Sequence, residues 1–451
     1  MATHSLSTHR RFVGLLLVCL LLVGVAANPA PTTVRPAQAA TQLDIDAAVQ
    51  AAVERMALDQ LYNGAWGPLT QQLATTCTVL ILLGEAAHDA GYSSAFDPLF
   101  PQAASVAAGW NFVFSVSPSR QVYTQTIEVQ NHTTSATGTL DDPDTNGNGY
   151  GVYFDTGYQV YTSGLCLAAL AVSRAPDRPN DAGLDLDGDG VAETMGQIAQ
   201  DTVDWLAFAQ TDVGVAQGAW YYNERNNQED QPYHGDNSNA GFAVLGLVHA
   251  DAAGYTVPNW VKVMLDAWID QIQDPVDGDA DDGGSWYTVT LAWVNLYKTG
   301  HLLMQLRWVG ERPGDVRMDA ALGYIERHWR DPVANINDPG WGYDQSVASY
   351  LTTYALMRGL EYVGVKRIDV DGDGLADDWY NQEPPADPPL DLASALVDQQ
   401  MDHGAWPGCL WAESNSTMCT AWAALTLQRA APTPPGPALE PCIYLPLVQR
   451  S

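Results

Sequence analysis

Basic side chains are scarce in this sequence: 20 Lys and Arg face 53 Asp and Glu, and the net charge is −33. Such a balance repels nucleic acid backbones and anionic lipid surfaces, so neither is expected as a partner. Long apolar runs are also rare. One spans Phe12 to Ala27 behind Arg10 and Arg11 and reaches small residues at Val25 and Ala27, the pattern of a secretory signal peptide. About 16 apolar residues is short for a membrane span, which disfavours the alternative of an uncleaved anchor. Ala37-Gln38-Ala39 offers a second cut site. Loss of residues 1–27 with their two arginines takes the net charge from −33 to −35. The expected location is secreted, extracellular or at the cell surface.

Cysteine is sparse as well. Of six, Cys19 leaves with the signal, and the remaining five are odd in number. Cys409 and Cys419 flank a short loop and are the disulfide candidate, worth roughly 2 to 3 kcal/mol in the chain-entropy model. Cys77 and Cys166 lie in apolar runs and read as core residues rather than a bridge. Cys442 falls in the tail, unpaired or intermolecular.

What the chain has in abundance is repetition. A glycine followed by a large aromatic occurs in "NGAWG", "GNGYG", "QGAWY", "GGSWY", "DPGWG" and "HGAWP", centred on Trp66, Tyr150, Trp220, Trp286, Trp341 and Trp406, at an average spacing of roughly 68 residues. Upstream, "NWVKVMLDAWIDQIQ" places Trp260, Met264 and Trp268 four apart with Leu265, Ile269 and Ile272 beside them, a wide apolar stripe on an otherwise polar helix. "VRMDAALGYIERHW" and "LDLASALVDQQM" repeat it. Downstream lie runs apolar nearly all round, such as "CTVLILLGEAA", "GLCLAALAVS" and "NAGFAVLGLVHA", which must be buried. The expectation is six helical hairpins, each an amphipathic outer helix, a turn with glycine in the left-handed C-cap, and a buried inner helix. One hairpin cannot bury its own face; six closing into a ring can.

"WIDQIQ" before "DDGGSW", "WLAFAQ" before "QGAW" and "LVDQQM" before "HGAW" resemble the Q-W repeats of the prenyltransferase and squalene/oxidosqualene cyclase superfamily. The resemblance covers roughly residues 45–430 and implies an all-α fold, an (α/α)6 toroid. The expected layout is a signal peptide at 1–27, a linker at 28–44, the toroid at 45–430, and a Pro-rich linker with an apolar tail at 431–451. That tail is open to cell-surface attachment or to docking on the domain. Between Arg120 and Leu140, Thr and β-branched residues predict a small β hairpin inserted in the second repeat, either a lid or a surface decoration.

Two loops carry the most specific chemical signal. "DLDGDGVAE" sets Asp185, Asp187 and Asp189 before Gly190, with Glu193 beyond; "DVDGDGLADD" does the same with Asp369, Asp371, Asp373 and Asp377 around Gly374. Alternating carboxylates and a turn glycine suit calcium. Both loops join an inner helix to the next outer helix and are expected to act as staples. Asp144, Asn146 and Asn148, with Asp155 at the twelfth position, form a third candidate.

The superfamily's cyclases use a D-x-D-D acid, and Asp279, Asp281 and Asp282 in "DADDGGSW" spell one. In the cyclases that motif leads directly into an inner helix, whereas here it precedes the repeat turn. A solvated turn, a cation site and a cyclase acid stay open, with scaffold preferred. The prenyltransferases' Asp, Cys and His zinc set has no counterpart at a suggestive spacing, and the Cys-Gly-Glu-Gln of thioester toroids is missing.

Three functions follow as expectations. The first is a secreted or surface-tethered toroid that binds a glycan, isoprenoid or protein ligand. The second is an extracellular glycan hydrolase or lyase, for which the inner-helix starts offer Asp155, Glu224, Asp236, Asp344 and Glu413 as acids, with Tyr222, Arg225 and His234 near two of them and Glu224 and Asp236 the carboxylate pair to test. The third is a terpenoid cyclase using Asp281 and Asp282.

Overall fold

The computed structural model describes residues 39–117, 119–123, 128–130, 137–139, 142–154, 157–224, 235–344, 347–383, 386, 388–412, 414–432 and 442–443. The outer helices are α1 (Gln42–Asp59), α3 (Ala103–Ser115), α5 (Met195–Ala209), α7 (Asn259–Ile272), α9 (Val316–His328) and α11 (Leu392–Gln399). Alternating with them are the inner helices α2 (Gln72–Asp89), α4 (Gln159–Ser173), α6 (Asn237–Ala253), α8 (Leu296–Val309), α10 (Tyr350–Val363) and α12 (Ser416–Leu427). Each inner helix packs on the next, and α12 returns to pack on α2, so the ring is closed as an (α/α)6 toroid. None of these helices is long and apolar enough to cross a membrane.

Burial follows composition. Every residue of α6 from Asn237 to Ala250 is buried, whereas α9 buries only Met318, Ala321, Leu322, Tyr324 and Ile325, a single stripe. Small residues let the inner helices approach: a Cβ at Gly164 of α4 would run into the Phe242 carbonyl of α6, and Gly246 faces Gly164 in return. Between α2 and α4 the contact is covalent. Cys77 and Cys166 form a disulfide with Cα atoms 4.8 Å apart, which corrects the reading of both as plain core residues. Cys409 and Cys419 are bridged as expected.

Four of the six repeat turns share one construction. Gln60, Gln210, Gln273 and Gln400 are the C-caps of α1, α5, α7 and α11, in extended backbone, so the glycine is not the cap but lies further along the turn. Each glutamine donates to the carbonyl of that turn glycine and to a carbonyl of the next outer helix. Gln210 Nε2 lies 2.9 Å from Gly218 O and 3.1 Å from Val261 O; Gln400 Nε2 lies 2.8 Å from Ala48 O, joining the last repeat to the first. Gly218 has φ +88°, and a Cβ there would strike the Met264 carbonyl. The turn tryptophans close the junction: Trp66, Trp220 and Trp406 donate from Nε1 to Met56, Leu206 and Leu396 carbonyls of their own outer helices.

Strands are short. β1 (Ser119–Gln121) pairs antiparallel with β4 (Tyr150–Val152), and β2 (Glu128–Gln130) with β3 (Thr137–Thr139), the expected insertion in repeat two. β4 lies against the outer face of α5, so this outer helix is buried on nearly every side. β5 (Val365–Ile368) pairs with β6 (Asp377–Asp378) and, in parallel, with β7 (Cys442–Ile443), which docks that part of the tail on the domain.

Candidate functional site

The inner helices begin at one mouth of the ring, around a cavity of about 510 Å³. Aromatic rings dominate its wall. Tyr161 on α4 lies 4.6 Å from Phe242 on α6 and stacks at 6.0 Å on Tyr222, which meets Tyr158 edge-on and reaches Tyr287 Oη at 3.3 Å. Tyr297 opens α8, and Trp422 lies two turns into α12. At the rim Trp411 is 48% exposed, 6.4 Å from Tyr297. Its φ of +71° is the left-handed region that a bulky residue avoids, and the Cys409–Cys419 disulfide closes the loop that holds it there.

Behind the tyrosines sits Asp236, the N-cap of α6. Its carboxylate accepts from Asn239 N at 2.8 Å, from Asn239 Nδ2 at 2.7 Å and from the Ser238 hydroxyl. Complete burial pushes its carboxyl above the ordinary value against the pull of those bonds. Lys298, buried nearby, is pushed down to about 7 by desolvation, with the Asp236 charge opposing the fall. Deeper in the ring Arg358 is buried with its guanidinium 4.2 Å over the Tyr354 ring. Burial and then the Arg358 charge drive His249 to about 3 and push His301 well down. The centre of the ring therefore holds neutral imidazoles.

Of the other candidate acids, Glu224 is ion-paired with Arg120 of the insertion. Asp344 lies exposed in the fifth turn. Asp155, Arg225, His234 and Glu413 lie outside the described residues. No carboxylate lines the cavity among the described residues.

Asp281 and Asp282 stand in the outer layer. Asp282 accepts from the N–H groups of Asp277 (2.9 Å), Gly278 (3.0 Å) and Asp279 (3.3 Å), and these bonds hold its carboxyl below the usual range. Burial pushes Asp281 up. The His328 ring lies 2.7 Å from the Ala280 carbonyl, and Arg327 reaches that of Asp282, tying the segment to α9 rather than to the cavity. The acids that converge here are Asp274, Asp279 and Asp282, with oxygens within 4.8 Å of one another. Asp274 also accepts from Trp286 Nε1 at 2.6 Å.

The two Asp-rich loops bring Asp185, Asp187 and Glu193, and Asp369, Asp371 and Asp377, into sets with oxygens within 4.8 Å. Asp189 and Asp373 accept from Val191 N and Leu375 N at 2.7 and 2.8 Å. Glu193 is buried; Oε1 accepts from Leu186 N at 2.6 Å, while Oε2 has no hydrogen-bond partner. An all-oxygen set with an unsatisfied buried carboxylate oxygen fits a hard cation.

Fold and cavity together define an (α/α)6 toroid with an aromatic mouth. No protein-family model matches the chain, and no curated protein matches it. Among solved structures it is similar to the GH76A alpha-1,6-mannanase from Salegentibacter sp. HEL1_6, with 10% identity and a TM-score of 0.46 over 86% of this chain and 99% of that one.

Proposed function

We propose that this chain is a secreted, calcium-stabilised toroid that binds a carbohydrate chain at the aromatic mouth of its ring. The observation that carries this reading is Trp411, half exposed in strained backbone at the rim of a cavity walled by tyrosines. Strained backbone clusters at ligand clamps and active sites, and rings bearing hydroxyls offer a sugar both a stacking face and hydrogen bonds. Two disulfides support an oxidising compartment, and the oxygen sets of the Asp loops support calcium. The Q-W-like turns support kinship with the prenyltransferase and cyclase toroids, but the outer-layer position of Asp281 and Asp282 argues against cyclase chemistry.

Hydrolysis is the second reading, favoured by Asp236, a buried carboxyl with a raised pKa directly behind Tyr161 and Tyr222. Glycoside hydrolysis uses two carboxyl groups roughly 5 to 10 Å apart, and the described part of the cavity wall supplies no second one; binding is therefore preferred.

Calorimetric titration of the mature protein with neutral penta- and hexasaccharides, and with polyprenyl alcohols in detergent, tests the proposal. A saccharide is expected to bind, and Trp411→Ala to weaken it at least ~10-fold, about 1.4 kcal/mol. Binding of polyprenyl alcohols alone, or an unchanged affinity in Trp411→Ala, overturns it. Release of reducing ends that Asp236→Asn abolishes replaces binding by hydrolysis.

A further inference from the structure

The loop from Asp144 to Tyr150 is built on the same frame as the two Asp-rich loops. In each, the first carboxylate accepts from the N–H groups three and five residues on: Asp185 from Gly188 and Gly190 (2.7 and 3.0 Å), Asp369 from Gly372 and Gly374 (2.6 and 2.9 Å), Asp144 from Gly147 and Gly149 (2.9 and 2.8 Å). The third position accepts from the fifth, Asp187 from Asp189 N and Asn146 from Asn148 N, at 3.0 and 3.1 Å. The fifth accepts from the seventh, Asp189 from Val191 N and Asn148 from Tyr150 N, at 2.7 and 2.8 Å. The loops differ at the ninth position. Glu193 and Asp377 stand there in the Asp-rich pair, and Val152, buried in β4, stands there in the third. Asp155, the carboxylate expected from sequence, lies outside the described residues.

A carboxylate reaches this loop from elsewhere. Asp201 on α5 is fully buried, and its Oδ1 lies 2.6 Å from Asn146 Nδ2 and 2.9 Å from Asn148 Nδ2. Its Oδ2 has no hydrogen-bond partner. One turn on, Asp204 accepts from Thr145 N (3.1 Å) and Thr145 Oγ1 (2.7 Å), which fixes the loop against the helix. Burying a carboxylate oxygen without a donor is costly, and a bound cation meeting it removes that cost. The Oδ1 of each asparagine accepts one backbone N–H and keeps a second lone pair for a cation.

We propose that the Asp144–Tyr150 loop is a third divalent-cation site whose anchoring carboxylate is Asp201 of α5, with Asp144, Asn146 and Asn148 completing the oxygen set. The site pins the inserted β1–β4 segment to the outer wall. It rests on the calcium reading of the two Asp-rich loops. With two carboxylates where each of those loops offers four, it is the weakest of the three.

The test is a count of calcium ions bound by the chelator-stripped mature protein, by equilibrium dialysis with radioactive calcium. Wild type is expected to bind three ions, and Asp201→Asn and Asn148→Ala two each. Asn148 is exposed, so its variant decides the matter where Asp201→Asn fails to fold. If wild type binds two and either folded variant also binds two, the third site is refuted while the calcium reading stands. A wild-type count of three that Asn148→Ala leaves unchanged also overturns the proposal, and a count of zero removes both it and the calcium reading.

Discussion

Glu85, near the end of α2, lines the opposite mouth of the ring, a cavity of about 760 Å³ at the C-terminal ends of α2, α4, α6 and α12. Burial pushes its carboxyl up from 4.5 to about 7, with Asp89 adding to the rise and Arg174 opposing it. Between those two values the folded state binds more protons than the unfolded chain, so stability falls as pH rises through the window and the loss is complete above it. Glu85→Gln removes this titration. Relative to wild type the variant is expected to gain stability from pH 4.5 to 7 and to hold a constant advantage at pH 8, read by urea titrations across that range. A difference independent of pH would refute the assignment. Such groups are the least legible in sequence, because burial is a tertiary property. Cys77 and Cys166 are separated by 89 residues in runs whose pattern is that of a core, and no spacing announces their bond. Asp201 and Asp204 of α5 are likewise buried by a tertiary contact, the Thr145–Asn148 loop that leads into β4.

Among elements, the turn is what the sequence states most plainly, since a glycine shortly before a large aromatic recurs in all six repeats and a glutamine precedes them in four, each with a distinct task in the structure. Position within the turn was less legible: a glycine reads as a cap, yet the caps are the glutamines and the glycine is there to let the next outer helix approach. The fourth inner helix is the least plainly apolar of the six in sequence. Lys298, His301, Gln305 and Arg307 interrupt the apolar run of α8, although all are buried among neighbouring inner helices. The glutamine's role is testable. Gln210→Ala would leave the Gly218 carbonyl without this donor, at about 1 to 3 kcal/mol, and would strip the second bond from the Val261 carbonyl, which lies within helix α7 and keeps its helical partner. A loss of about 1 to 3 kcal/mol in urea unfolding is expected, and a loss below about 0.5 kcal/mol, the scale of an inert surface change, would mean that the junction holds without it.

At the level of the whole molecule the ring was legible because its period repeats six times, whereas the cavity was not, because its wall is assembled from single residues of different repeats. Of the abundant aromatics, Trp66, Trp220, Trp341 and Trp406 are committed to turns, and the rim residue Trp411 is set apart only by a loop conformation that sequence does not display. Closure depends on contacts between distant repeats. Gln400 bonds to Ala48, and Asn415 Nδ2 to Thr75 Oγ1 at 2.8 Å, so side-chain bonds join the last repeat to the first. The Asp185–Glu193 loop joins α4 to α5 and the Asp369–Asp377 loop leads from α10 toward α11; each therefore ties one hairpin to the next. A cation that binds only the folded ring adds about 2.7 kcal/mol per site at a hundredfold excess over its Kd. Chelation is accordingly expected to lower the calorimetric melting temperature of the protein. Asp187→Asn and Asp371→Asn should each remove part of that shift, and the double variant most of it. Magnesium should restore little, since it demands near-octahedral geometry and dehydrates reluctantly. A melting temperature indifferent to chelation would remove the cations from the stability of the ring and leave its closure to the glutamine junctions, the two disulfides and the packing of the inner helices.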